Sequence, residues 1–152
     1  MTINHLLWLL VFLAALPPPA ASETIQLENE QGAYVIRVRI NGQISLPFIL
    51  DTGASEVAMP EDVFLTLLRT KTVNESDYIG TGTYITADGS EHSSDRFILH
   101  EMRIGNHAIK NVIANIVPAK GNPLLGQSFL AKLPGWSIDV ARTANPILKI
   151  TI

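Results

Sequence analysis

The sequence after residue 22 repeatedly alternates apolar and polar residues with a period of two. Residues 34–40 place isoleucine and valine on one face and arginine on the other, and residues 46–50 form a second apolar run. Asn41 and Gly42 separate the two runs. This dipeptide favours the tight turn of a β-hairpin, because both residues tolerate positive φ. The alternation therefore predicts strands and not amphipathic helices.

Similar patterns recur about every ten residues, which is typical of an all-β barrel or sandwich. Asp88 and Gly89 predict a two-residue turn within residues 87–90. The last two strands are expected to form a closing hairpin. Beyond the first two, the predicted strands span residues 78–85, 96–103, 109–117, 136–140 and 147–152, and short helices are predicted over residues 60–68 and 126–133.

Length and composition limit the classes of function. The chain has 152 residues, which is about one domain. Its 11 Lys and Arg against 14 Asp and Glu give a formal net charge of −3, so there is no basic excess to neutralise a nucleic-acid backbone. There is no cysteine, which excludes disulfides, thiolate nucleophiles and zinc–cysteine sites. We therefore expect no nucleic-acid partner.

Residues 1–22 have the composition of a leader. An unbroken apolar run of 11 residues covers residues 6–16 and is shorter than the roughly 20 residues that span a bilayer. Three prolines and then small residues up to Ser22 follow. This order predicts a secretory signal peptide, and an uncleaved signal anchor is the alternative, because the segment has no Lys or Arg. The domain of residues 23–152 is then expected in the periplasm or outside the cell, and at a membrane only if the leader stays attached.

The most informative segment is a carboxylate at the end of an apolar strand. The apolar residues 48–50 lead directly into Asp51, Thr52, Gly53 and Ala54. An acid in this position is unusual unless it is paired or functional. Thr52 offers a hydroxyl, and Gly53 permits a close backbone approach. The alternative is that Asp51 only caps the turn through its own carboxylate.

This segment resembles the catalytic loop of the retropepsin-like aspartic proteases, the single-domain retroviral and bacterial type. Two further elements follow in the order that the family has, and the resemblance covers about residues 32–152. The matching residues are Asp51, Thr52 and Gly53 for the catalytic triplet, Ala54 for the small residue after it, Ala87, Asp88, Gly89 and Ser90 for the tip of the flap hairpin within residues 81–90, and Leu124, Leu125 and Gly126 for the hydrophobic–hydrophobic–glycine element that crosses under the catalytic loop.

The resemblance implies a closed all-β barrel with a flap hairpin and one or two short helices, and an endopeptidase without a metal or cofactor. Such enzymes need two carboxylates that share one proton and activate a water molecule. The chain has one Asp-Thr-Gly only, and it is too short for two lobes. The second carboxylate is therefore expected from Asp51 of a second copy, in a homodimer with two-fold symmetry.

By the same resemblance, Thr52 would bond across the dimer axis and Gly53 would accept close substrate backbone. The flap would lie over a peptide or protein substrate that binds as an added strand, with side chains in apolar pockets. The strand over residues 147–152 either interleaves with the partner or closes the core.

The other acidic groups are weaker candidates for the second carboxylate. Asp139 has no Thr-Gly turn after it, and Asp88 lies at the flap tip. Asp62 and Asp77 are expected on the polar surface. Glu56 either faces a substrate pocket or is a surface acid of the loop.

The three histidines after the leader bear on a possible metal site. His92, His100 and His107 lack the spacing of a metal site, and we expect them to be exposed to solvent.

A non-catalytic peptide-binding or scaffolding module with the same fold is the alternative to a protease.

Overall fold

The computed structural model describes residues 21–86, 88–118, 120, 122–140 and 146–151. Nearly all of the predicted leader and the flap residue Ala87 lie outside the described residues. The strands are β1 (Ser22–Gln26), β2 (Glu28–Glu30), β3 (Ala33–Ile40), β4 (Ile44–Leu50), β5 (Val57–Pro60), β6 (Tyr78–Ile85), β7 (Glu91–Ile104), β8 (His107–Val117), β9 (Leu124–Leu125), β10 (Trp136–Asp139) and β11 (Ile147–Thr151), and the helices are α1 (Glu61–Arg69) and α2 (Gln127–Leu130), with a 3₁₀ turn at Glu75–Asp77.

The strands form two sheets. Eight of them lie in the order β2-β3-β4-β9-β5-β8-β7-β6, and the other three lie in the order β1-β11-β10. In addition, β3 pairs with β7, with Arg39 opposite Arg103 and Ile40 opposite Met102. The expected mostly β fold with short helices is therefore confirmed.

Strand β3 illustrates how the sequence pattern builds the core. Ile36, Val38 and Ile40 are buried, whereas Arg37 and Arg39 are exposed. Alternation of this kind places every second side chain on the same face of a strand. The apolar faces of both sheets meet in one cluster, whose largest fully buried side chains include Phe48, Phe129, Leu27, Met59, Leu67, Leu99 and Leu148.

The first predicted hairpin turn is confirmed. Asn41 and Gly42 have φ angles of 47° and 69°, and the Gln43 N–H donates to the Ile40 carbonyl at 2.9 Å. The Asn41 side chain also joins the turn to β7, because its Oδ1 accepts from the Glu101 N–H at 2.9 Å.

The second predicted turn is longer than expected. Strands β6 and β7 form a hairpin, in which Ile85 lies opposite Glu91. The Thr86 N–H donates to the Ser90 carbonyl, and the Gly89 N–H donates to the Thr86 carbonyl, both at 2.9 Å. The prediction of a two-residue turn is wrong, because the loop closes between Thr86 and Ser90, and Gly89 supplies the positive φ of 84° that a three-residue loop uses.

Both short helices are present with adjusted bounds. Helix α1 begins directly after Pro60 and buries Phe64 and Leu67. Helix α2 ends earlier than predicted, because the chain tightens into a turn in which the Leu133 N–H donates to the Leu130 carbonyl at 3.2 Å. Among the described residues, no helix is both long and apolar enough to cross a membrane.

Strand β11 is the central strand of the three-stranded sheet. It pairs with β1 on one edge and with β10 on the other, and its Leu148 and Ile150 are fully buried. The predicted pairing of the last two strands is confirmed, while residues 141–145 between them lie outside the described residues. Because both edges of β11 are occupied within the chain, the arrangement fits the core-closing alternative for this strand.

Candidate active site

Strand β4 delivers Asp51 to the end of the buried sheet. Ile49 and Leu50 pair in parallel with Leu124 and Leu125 of β9, and the Asp51 N–H donates to the Leu125 carbonyl at 3.2 Å. The backbone of Asp51 is thus still part of the ladder, whereas its side chain is half-buried and lies in the turn that follows. The paired end of β4 therefore fixes the position of the Asp51 backbone, from which the carboxylate projects.

The Asp51 carboxylate is held by its own loop through one oxygen. Its Oδ1 accepts from the Gly53 N–H at 2.8 Å, which is the capping contact of the simpler alternative. No hydrogen bond from the described residues reaches the second oxygen, Oδ2. Thr52 and Gly53 are exposed, and the Thr52 carbonyl accepts from Gln127 Nε2 at 2.9 Å. Capping and chemical function are therefore compatible, since one oxygen orients the group and the other stays available.

Strand β9 and the start of α2 cross beneath the catalytic loop. The Gln127 N–H donates to the Ala54 carbonyl at 2.8 Å, and the Ser128 N–H donates to the Ser55 carbonyl at 3.0 Å. Leu124 pairs with β4 on one side and with Ala58 of β5 on the other. The crossing element thus ties together both strands that flank the loop.

Gly126 is the point of closest approach in this crossing. A Cβ atom on this residue would lie 2.1 Å from the Glu56 carbonyl oxygen and 2.8 Å from the Ala54 carbonyl oxygen. Both contacts are with backbone, which cannot swing aside as a flexible side chain can. The glycine is therefore required by space here.

The flap hairpin ends in a tip organised by Asp88. Its Oδ1 accepts from the Thr86 hydroxyl and from the Ser90 N–H. These hydrogen bonds, from the Thr86 hydroxyl first and then from Ser90, stabilise the ionised form and lower the pKa of Asp88 to about 2. Gly89 and Ser90 are exposed beside it.

A cleft of about 950 Å³ separates the catalytic loop from the hairpin. Its lining includes Asp51 and Ala54 on the loop side and Tyr84, Ile85 and Thr86 on the hairpin side. The structure thus brings the Asp51 and flap segments together across one cleft, whereas Asp88, Gly89 and Ser90 are not among its described lining residues.

Two of the cleft-lining groups were not singled out as site residues from the sequence. Glu56 forms a two-point ion pair with Arg96 of β7, in which Arg96 Nε lies 3.0 Å from Glu56 Oε2. Asn115 of β8 lines the cleft and is 6% exposed. Of the two alternatives for Glu56, its position in the lining of the cleft fits the one that faces a pocket. The sequence carried no signal for Arg96 and Asn115, because their neighbours come from distant strands.

Two surface predictions outside the cleft are wrong. Asp77 is 7% exposed, because it caps the 3₁₀ turn by accepting from the Asn74 N–H at 2.9 Å and also lies 2.9 Å from His100 Nε2. The His107 side chain is 14% exposed and lies 3.0 Å from a Glu23 carboxylate oxygen.

The other exposure predictions agree with the structure. His92, His100 and Asp62 are exposed. The His92 ring stacks on Tyr84 at the wall of the cleft, with ring centroids 5.2 Å apart. In the part of the chain that the structure describes, no three potential ligands from His, Asp and Glu come together as a metal site would need.

Comparisons with known proteins agree with this geometry. The fold is similar to the crystal structure of a retropepsin-like aspartic protease from Rickettsia conorii, with a TM-score of 0.63 and 22% sequence identity over 86% of this chain and 94% of that one. The sequence profile of the family described as "gag-polyprotein putative aspartyl protease" matches residues 36–132. The match covers well over half of the chain, and the chain belongs to this family of retropepsin-like aspartyl proteases. No curated protein matches it by sequence.

The close approach of the backbone at Gly126 predicts that any side chain at this position strongly destabilises the fold. Gly126→Ala is expected to lower the free energy of unfolding by about 3 kcal/mol or more, because the new methyl group must displace two backbone carbonyls. Chemical denaturation measures the loss. Gly135→Ala is the matched control, since its Cβ would meet no atom closer than 3.7 Å, and a change within about 1 kcal/mol is expected there. Equal effects of the two substitutions would contradict the packing at the crossing.

The hydrogen bonds at the flap tip predict that the Asp88 carboxylate stays ionised until the pH falls to about 2. Because the folded pKa of about 2 lies below the ordinary 3.8, its hydrogen bonds contribute stability that is fully present above pH 3.8 and is lost as the pH falls through about 2. A carbon-detected NMR titration should give a midpoint near 2 for the Asp88 carboxyl. Thr86→Val should raise that midpoint, whereas the exposed Thr81→Val should leave it unchanged. A wild-type midpoint at the ordinary value would disprove the capped tip.

Proposed function

We propose that this chain is an aspartic endopeptidase whose two catalytic carboxylates are the Asp51 side chains of two copies. The observation that carries the proposal is the position of Asp51, which lies at the floor of the cleft with one oxygen held by its loop and the other unbonded among the described residues. Membership of the aspartyl protease family supports peptidase activity.

The cleft supports a dimeric site because it offers one available carboxylate. The second acid in its described lining is Glu56, which is engaged on both oxygens by Arg96. Thr52 and Gly53 are exposed, so a second copy can approach the loop. In the proposed homodimer, Thr52 bonds across the two-fold axis and the two loops face each other.

The chemistry follows from two carboxylates at close range. Like charges so close cannot both ionise, so the pair holds one proton between two groups. The ionised Asp51 takes a proton from a water molecule that attacks the scissile carbonyl carbon, and the protonated Asp51 of the other copy donates to the carbonyl oxygen. The tetrahedral intermediate then collapses with protonation of the leaving amine.

The remaining predicted residues have supporting roles in this proposal. Gly53 and Ala54 line the cleft without bulk, so an extended peptide backbone can pass close to Asp51. The flap tip of Ala87, Asp88, Gly89 and Ser90 covers the peptide and excludes water. Leu124, Leu125 and Gly126 hold the catalytic loop from beneath.

We also infer two features of the whole molecule. The pairing of β3 with β7 supports closure of the strands into the barrel that the resemblance implies. The apolar leader supports export to the periplasm or the cell exterior, with a membrane contact only if the leader is retained.

The test of the proposal is a mixing experiment. Asp51→Asn is expected to reduce peptide cleavage by a factor of roughly 10²–10⁴, since it removes the acid–base group. When wild type and Asp51→Asn are refolded together, activity should fall with the square of the wild-type fraction, because each site needs both carboxylates. Asp95→Asn, an exposed change on β7, is the control and should leave the activity unchanged.

Three outcomes would refute the proposal. A linear fall of activity in the mixture would mean that a single chain carries a complete site. Full activity of Asp51→Asn would mean that Asp51 is not the catalytic acid. A strict monomer that binds peptides without cutting them would favour the non-catalytic peptide-binding module instead.

A further inference from the structure

A second cavity of about 130 Å³ opens beside the cleft. It shares Ser55, Glu56, Tyr84 and Asn115 with the lining of the cleft, so the two spaces are adjacent. Its volume is close to the roughly 150 Å³ of a protein cavity that admits benzene. The small cavity therefore has room for one side chain of medium size.

One wall of this cavity is an ion pair that is already complete. Arg96 Nε and Nη2 donate to the two carboxylate oxygens of Glu56. The stem of Arg96 passes under β6 at Gly82, where a Cβ atom would lie only 2.4 Å from Arg96 Cδ. Arg96 is thus held against β6 while it pairs with Glu56, and the two opposite charges cancel at the wall of the cavity.

The other wall carries a polar group that has no hydrogen-bond partner among the described residues. Asn115 lies on the inner strand β8, between Ala58 of β5 and Arg96 of β7. It is 6% exposed, and its side-chain amide has no hydrogen bond to any described residue. Although the residue is largely buried, its amide is not among the buried side-chain groups that lack a partner, so it opens into the cavity that it lines. An amide placed in this way is available to hydrogen-bond a ligand.

We propose that this cavity is a substrate subsite that binds a side chain carrying a primary amide, glutamine or asparagine, through the amide of Asn115. The inference rests on the proposed function, because it names the substrate of that same cleft. It also departs from the apolar pockets that the sequence analysis expected.

The chemistry of the walls selects the amide over other side chains. A primary amide offers both a donor and an acceptor, so two amides can pair with each other through two hydrogen bonds. An acidic side chain would meet the carboxylate of Glu56, and a lysine would meet the guanidinium of Arg96, with no uncompensated charge to attract either. An apolar side chain of equal size would leave Asn115 unpaired.

The test uses peptides that differ at one position. In a peptide that the wild type cleaves, glutamine is placed in turn at each position around the scissile bond and is compared with methionine, which has nearly the same shape. We expect one position at which glutamine gives a kcat/KM roughly tenfold or more above methionine, because only the amide satisfies Asn115. Equal values at all positions would overturn the inference.

Substitution at Asn115 then assigns the preference to this residue. Asn115→Leu keeps the side-chain shape and should abolish the preference for glutamine at that position while methionine peptides are still cut. Asn115→Ala serves as a second variant, and thermal unfolding checks that both remain folded. Asn106→Leu makes the same change on the exposed turn between β7 and β8 and should keep the wild-type preference. A preference that survives in both Asn115 variants would refute the assignment.

Failure of the subsite and failure of the protease can be told apart. Calorimetric binding of the same peptides to Asp51→Asn reads the subsite without cleavage. Preferential binding of the glutamine peptide, lost on adding Asn115→Leu, would support the subsite even if the wild type cut nothing. Cleavage without any preference would leave the protease in place and reject the subsite.

Discussion

The structure depends on one close crossing of backbones. The chain enters α2 through Gly126, which lies so near the carbonyls of Ala54 and Glu56 that a Cβ atom has no room. The N–H groups of Gln127 and Ser128 then hydrogen-bond the same loop. These contacts fix a turn that would otherwise be a solvent-exposed connection between strands. Asp51 owes its defined position in part to this support, because the backbone contacts hold the loop that follows it.

The hairpin and the loop are coupled by charge as well as by the shape of the cleft. The Glu56–Arg96 pair joins the segment after the catalytic loop to β7, the strand that carries one side of the flap. A two-point contact between a guanidinium and a carboxylate is directional, so it fixes angle as well as distance. The roof and the floor of the cleft are therefore positioned relative to each other by side chains as well as by the sheet. This frame also leaves Asn115 facing open space.

The flap tip is ordered in a different way from the loop that contains Asp51. Its order comes from one exposed carboxylate that accepts hydrogen bonds from Thr86 and Ser90, and not from packing. Such local bonds depend on ionisation, which persists into strong acid here because the pKa of Asp88 is about 2. The tip can thus keep these hydrogen bonds until the pH falls to about 2.

The sequence by itself determined seven of the strands, the first hairpin turn, the two short helices and the three elements of the resemblance, whereas it did not predict β1, β2, β5 and β9 as strands. These features depend on neighbours in the chain, such as the alternation in residues 34–40 and the Asn41–Gly42 turn. The length of the flap loop was missed, because Asp-Gly suits more than one loop length and the strand register selects among them. Only the tertiary structure decided the burial of Asp77, the partner of Glu56 and the lack of a hydrogen-bond partner for the Asn115 amide among the described residues. Each of these results depends on side chains from strands far apart in sequence, and no local pattern encodes such contacts.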